Sequence, residues 1–174
     1  MPHHYQDLEY HLFDETSNIQ TFHCSNQDLD EFLKKDALQY TQENWAITRL
    51  AYDRGQLIGY FTLAADSIEV DAIIADGVTY PHRRYPAIKL ARLAVDDRWR
   101  RNGYGKNILL KSLIVALTLS RYVGIKYLTV DSEPESVDFY RKYGFINAKR
   151  RIYDTIPLYK ILHPPMNNGD DKAL

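Results

Sequence analysis

Apolar positions along the chain fall into short strand-like stretches and two helical stripes, separated by turn residues. Residues 5–13 alternate weakly and predict a first strand. Ser25, ahead of Gln27-Asp28-Leu29-Asp30-Glu31-Phe32-Leu33, predicts a capped helix start with its acids at the positive end of the dipole. Leu29, Phe32, Leu33 and Leu38 mark the buried face of that helix. Residues 46–52 and 56–64 read as two strands of a hairpin around Asp53-Arg54-Gly55. Between 66 and 86, Ile68, Val70, Ile73 and Ile74 suggest a short strand or helix within a loop. Residues 88–95 predict a strand, about 104–122 a long apolar helix, and 127–130 another strand. Pro134 opens a short helix carrying Val137 and Tyr140 and stopped by Gly144. A final β segment spans roughly 153–161. Residues 164–174 are polar and proline-led, which predicts a flexible tail after a single domain over 1–163. The sum is a mixed α/β domain.

Composition changes this picture little. With 174 residues, 45% hydrophobic and 26% charged, the chain suits one soluble domain with a sizeable core. Charges break the apolar runs well short of the ~18 residues a membrane span needs, and Met-Pro-His-His-Tyr-Gln-Asp-Leu-Glu does not resemble a secretory signal. Cys24 is the only cysteine, so no intramolecular disulfide forms and a reducing cytoplasm is the expected location. Cys24 itself, in Phe22-His23-Cys24, is expected to be a small buried hydrophobe.

Charge changes it more. The net charge of −1 conceals a strong polarity. Residues 1–79 hold 4 Lys/Arg against 14 Asp/Glu, a balance of −10, whereas residues 80–111 hold 9 against 2, a balance of +7. Such a basic block is either a solvated surface or a site for polyanions.

At the centre of that block lies Arg100-Arg101-Asn102-Gly103-Tyr104-Gly105, between a predicted strand and a predicted helix. Glycines there let the main chain approach a ligand, and the first helical turn offers unpaired N–H groups and positive dipole charge. Strand, basic glycine-rich loop and helix together make a cradle for a pyrophosphate. The chain has no G-x-x-x-x-G-K-[ST] and no G-x-G-x-x-G, since Ile108 stands three residues after Gly105.

The loop resembles the acetyl-CoA loop, [RQ]-x-x-G-x-[GA], of the GCN5-related N-acetyltransferases (GNAT). Leu93-Ala94-Val95-Asp96 looks like that family's strand entering the loop, and Phe139-Tyr140-Arg141-Lys142-Tyr143-Gly144-Phe145 like its F-Y-x-x-x-G-F signature. The three segments cover roughly residues 88–147 in the family's order. The resemblance implies a mostly antiparallel central sheet with about four helices, splayed between the strands near 88–95 and 127–130. It implies acetyl-CoA as cosubstrate, held by Leu93, Ala94, Val95, Arg100, Arg101, Asn102, Gly103, Tyr104, Gly105 and Lys106. It also makes Tyr140 the catalytic donor beside the CoA sulfur, since a phenol with an ordinary pKa of about 10 stays protonated at neutral pH. No metal is implied. Where many family members place Asn and Ala in the helix carrying the tyrosine, this chain has Glu133 and Ser136.

The general base is not evident. Asp66, Glu69 and Asp71 follow the strand that would face the acceptor, and each reads equally well as a solvated loop acid. An α-amino acceptor, with pKa about 7.7–8.0, needs a base less than a lysine at about 10.4. The N-terminal half, with Phe22-x-Cys24, Leu29-Asp30-x-Phe32-Leu33 and Ala37, resembles acetyltransferase toxins of bacterial toxin–antitoxin pairs, as do Gly59-Tyr60-Phe61-Thr62-Leu63 and Arg92-Leu93-Ala94-Val95-Asp96. That resemblance implies aminoacyl-tRNA as acceptor and a ribbon-helix-helix antitoxin as partner. Arg92 would lie near the acceptor, with Arg83, Arg84 and Lys89 available to RNA phosphates. Homodimers are common among GNATs. The acidic first half leaves open a solo enzyme acting on a small-molecule or peptide amine, and a CoA-binding module without catalysis.

Overall fold

A computed structural model describes residues 8–75, 79–149 and 154–162. The predicted tail beyond 163 and the start of the last predicted β segment at 153 lie outside the described residues. Seven strands form one sheet in the order β1-β2-β3-β4-β5-β7-β6. They are β1 (Glu9–Leu12), β2 (Ile47–Asp53), β3 (Gln56–Glu69), β4 (Arg84–Val95), β5 (Tyr127–Ser132), β6 (Ile146–Asn147) and β7 (Ile156–Ile161). Every neighbouring pair is antiparallel except β4 with β5.

The central strands are apolar on both sides because helices cover both faces. On one face α3 (Tyr104–Leu119) and α4 (Val137–Arg141) bury Ile108, Leu109, Leu113, Val137 and Tyr140 against Phe61, Ile88, Leu90, Leu128 and Val130. On the other, α1 (Gln27–Glu31), a π-helical turn (Phe32–Asp36) and α2 (Ala37–Gln42) bury Phe32, Leu33 and Ala37 against Leu50, Tyr60 and Ala94. Cys24 lies in this second core, where burial and then the nearby Asp30 charge push its thiol up to about 11. It is therefore a protonated packing group. No helix among the described residues is long and apolar enough to cross a membrane.

Three expectations are corrected. The helix cap is Asn26, whose Oδ1 accepts from Leu29 N at 3.1 Å, while Ser25 Oγ donates instead to Asp97 Oδ2 at 2.6 Å. The charged carboxylate of Asp97, just past the end of β4, takes the serine hydroxyl. The helix expected to reach residue 122 ends at Leu119, followed by turns in which Tyr122 and Val123 are exposed. Finally, β3 runs on to Glu69, so Asp66 and Glu69 lie on a strand rather than after it, and Asp71 on the 3-10 turn that follows.

Candidate active site

The sheet opens beside β4. Parallel pairing of β4 with β5 is confined to Ala87–Tyr127, Ile88–Leu128 and Lys89–Thr129, after which β5 continues with β7 and β4 with β3 alone. A β-bulge opposite Thr62–Leu63 puts one extra residue, Ala91, into β4. It shifts the strand's parity, so the side chains facing α3 are Ile88 and Leu90 before the bulge and Leu93 and Val95 after it. Asp96 N bonds Ile58 O at 2.8 Å, which fixes Ala94 as the residue whose amide faces β3. The amides of Leu93 and Val95 therefore point away from β3, into the gap left by β5. They are N–H donors with no pairing strand on that side among the described residues, the kind of group that can receive a ligand's carbonyl oxygen.

The floor of the gap is the start of α3. Gly103, with φ of 84°, caps that helix in the left-handed region, and Arg101 precedes it with φ of 62°. The first-turn N–H groups of Tyr104, Gly105 and Lys106 thus head a 16-residue helix. A Cβ on Gly105 would sit 3.7 Å from Val95 and 3.8 Å from the Phe139 ring, ordinary contact distances. The folded chain does not itself exclude a side chain there; close passage of a ligand would.

The loop is held from outside. Tyr104 donates to Asp53 Oδ2 at 2.7 Å, and Asn102 Nδ2 to Trp99 O at 3.3 Å. Asp96 is fully buried and accepts from His23 N, Arg98 N, Arg98 Nε and Arg98 Nη2 at 2.8–3.1 Å. Burial alone would raise its carboxyl, but the Arg98 guanidinium and the backbone donors outweigh burial and hold it below the ordinary range. Its contribution to stability is thus present above the unfolded carboxylate value of about 3.9. It is lost as pH falls from there through the lower folded value. Asp96→Asn should cost about 2 kcal/mol at neutral pH and flatten this acid limb, as read from urea unfolding at pH 7 and pH 3.

Arg100 and Arg101 are both exposed. Arg100 Nε lies 3.4 Å from Asp97 Oδ1, whereas Arg101 has no acid partner among the described residues. Arg100→Ala with Arg101→Ala should weaken acetyl-CoA binding about tenfold or more. Titration calorimetry showing unchanged affinity would remove the pyrophosphate assignment.

Tyr140, 7% exposed, lies beneath the same gap among Phe139 and Phe145, with ring centroids at 5.1 and 5.5 Å. Burial pushes its hydroxyl up to about 12, and no described residue hydrogen-bonds it. It is a protonated phenol without an acceptor among the described residues.

The other cations divide. Arg92 places its guanidinium 4.9 Å over the Phe32 ring and donates to Ala91 O at 2.7 Å. Arg84 pairs with Glu69 at 2.7 Å, and Lys89 with Asp131. Arg83 is exposed without an acid partner among the described residues. Asp66 accepts from Thr129 on β5, leaving Asp71 as the exposed acid of the three base candidates. The structure thus brings the loop, the β4 amides and Tyr140 together, but disperses the acids. For two residues sequence reasoning supplies a place but not the contacts: Asp53, a turn residue that anchors Tyr104, and Gly59, a residue of the Gly59–Leu63 segment. A Cβ on Gly59 would fall 2.3 Å from Ala94 O and 2.8 Å from Ile108 Cδ1. The Gly59-Tyr60 dipeptide within a strand was the available signal.

A sheet parted between two parallel strands, with the Leu93 and Val95 amides on one lip, the first turn of α3 beside Val95 and Phe139, and the buried Tyr140 ring next to Phe139, is an arrangement suited to acyl transfer. Residues 17–159 match the acetyltransferase (GNAT) domain, and the chain belongs to that family. A tRNA-acetylating toxin of Mycobacterium tuberculosis is 23% identical over 152 residues, 85% of this chain and 87% of that protein. Among solved structures, AtaT complexed with acetyl-methionyl-tRNAfMet superposes with a TM-score of 0.80 at 23% identity, covering 89% of this chain and 95% of that one. A tyrosine-to-phenylalanine mutant of the AtaT toxin, bound to the C-terminus of the antitoxin AtaR and acetyl-CoA, gives 0.73 at 22% identity, covering 89% and 93%.

Proposed function

We propose that this enzyme transfers the acetyl group of acetyl-CoA to the α-amino group of an aminoacyl-tRNA, and that an antitoxin of the ribbon-helix-helix type restrains it. The observation that carries the reading is the parted β4–β5 gap with Tyr140 below it, in a chain whose relatives include a tRNA-acetylating toxin. In this reading the pyrophosphate rests on the N–H groups at 104–106 with Arg100 and Arg101. The thioester carbonyl meets the amides of Leu93 and Val95, with Ala94 between them, and Asn102, Gly103, Tyr104, Gly105 and Lys106 shape the loop.

The neutral amine attacks the thioester carbon, forming C–N as C–S breaks. The departing thiolate takes the Tyr140 proton, and the phenol is reloaded from the new ammonium nitrogen. An α-amino group, partly neutral at pH 7–8, reaches the attacking form without an embedded carboxylate, which suits a site where Thr129 holds Asp66 and Arg84 holds Glu69. Arg83 is the cation most available to RNA phosphate, and Arg84 and Lys89 would exchange Glu69 and Asp131 for it. That engagement, with the acidic first half, favours a second reading: a solo enzyme, monomeric or homodimeric, acting on a small-molecule or peptide amine.

Expression of the protein alone in bacteria separates the two. The toxin reading expects growth arrest that Tyr140→Phe relieves and a cognate antitoxin suppresses. Undisturbed growth with acetylation of a free amine supports the solo enzyme.

A further inference from the structure

Two local irregularities of the chain meet at one side chain. The first is the extra residue Ala91 in β4, which decides that Leu93 and Val95, rather than their neighbours, present amides to the gap. Without that insertion the strand would turn Arg92 and Ala94 toward it instead. The second is the π-helical turn Phe32–Asp36, interposed between two α-helical pieces, a feature helices adopt at a cost in regularity. The turn brings Phe32 onto the Tyr60 ring at 6.4 Å and 26° and under the Arg92 guanidinium at 4.9 Å. Tyr60, the β3 partner of Ala94, is fully buried and donates its hydroxyl to Leu29 O at 2.7 Å. Arg92 in turn donates from Nη1 to the carbonyl of the bulged residue, Ala91, at 2.7 Å. A bulge removes that residue from the ladder, and the guanidinium supplies its carbonyl with a charged donor.

We propose that Arg92 is a positioning residue that staples the β4 bulge to the π-turn, and thereby aims the Leu93 and Val95 amides at the thioester carbonyl, instead of contacting the acceptor. The inference rests on the acetyl-CoA reading above but not on the identity of the amine. Arginine fits the role because its plane stacks on the Phe32 face while its edge bonds a carbonyl, a combination lysine cannot reproduce.

The test is an isotope-edited infrared spectrum of acetyl-CoA, labelled with carbon-13 at the thioester carbonyl and bound to the protein, paired with steady-state kinetics. Wild-type protein should shift the carbonyl band to lower frequency than in solution. Arg92→Met should return the band toward its solution position and lower kcat about 10²-fold, as removal or misplacement of an oxyanion donor does. KM for acetyl-CoA and for the acceptor should stay within about twofold. Arg92→Lys should recover part of both signals, and Phe32→Leu should move the band in the same direction. If Arg92→Met leaves the band unmoved and instead raises the acceptor KM, Arg92 is an acceptor contact and the proposal is overturned. Should Arg92→Met fail to fold, Phe32→Leu carries the test, and an unmoved band there overturns it equally. Absence of any bound acetyl-CoA band in the wild type is a different result, which refutes the cosubstrate assignment rather than the staple.

Discussion

Tyr140→Phe should lower kcat about 10²-fold or more while leaving KM for acetyl-CoA nearly unchanged. The hydroxyl acts on the thiolate that exists only as C–S breaks, so its loss falls on the transition state and not on ground-state binding. Stability should not fall. No described residue hydrogen-bonds the hydroxyl, and the ring contacts with Phe139 and Phe145 survive the substitution. Removing a hydroxyl that makes no hydrogen bond with a described residue takes no such bond from the fold. Thermal unfolding and steady-state kinetics on the same preparation check both halves. A variant that unfolds early and binds acetyl-CoA poorly would make Tyr140 a packing residue. The wild-type pH profile carries the same information. With the hydroxyl pushed up to about 12, the donor form persists beyond the ordinary tyrosine range near 10, so activity should not decline through tyrosine ionisation below that pH.

Gly59→Ala should be the most damaging alanine substitution among the described glycines. Its Cβ would lie 2.3 Å from the Ala94 carbonyl oxygen and 3.2 Å from Val95 Cα, both backbone atoms of the neighbouring strand. Ile108 Cδ1, 2.8 Å away, is fully buried and has little room to retreat. A side-chain tip could rotate; a paired strand cannot. Overpacking of this kind costs about 3 kcal/mol, a large share of the usual 5–15 kcal/mol. For a chain of this length that is about 6–12 °C in Tm. Any relaxation must displace the segment that carries the Leu93 and Val95 amides, so catalysis should fall with stability. Gly103→Ala provides the contrast: a Cβ there meets nothing within 4 Å, so only the strain of a positive φ remains, about 1–2 kcal/mol.

These two sites show what the sequence could and could not disclose. The loop Arg100–Gly105 is legible as a glycine-rich turn before a helix, and the Phe139–Phe145 segment through its resemblance to the family's F-Y-x-x-x-G-F signature. The strands over 46–64 and 88–95 are legible because covered strands are continuous apolar runs, whereas the extensions of β3 to Glu69 and of β4 back to Arg84 are not. What escaped depends on contacts distant in sequence. Gly59 matters through Ala94 and Ile108, and Asp53 through Tyr104. The bulge at Ala91 is a relation between two strands and leaves no trace in the periodicity of either. The two-residue β6 is too short to show a period. The cationic block is visible in the sequence as a charge balance. Its division among Asp96, Glu69, Asp131 and the Phe32 ring is a matter of geometry that spacing does not encode.

The most direct measurement follows acetyl-CoA labelled in its acetyl group through a translating bacterial extract, with wild-type protein and Tyr140→Phe side by side. Label entering the RNA fraction with the wild type alone, and released by mild base that hydrolyses aminoacyl esters, is the predicted result. Label confined to small amines or protein, with translation undisturbed, would contradict it and leave a GNAT enzyme whose likeness to the toxins is one of scaffold.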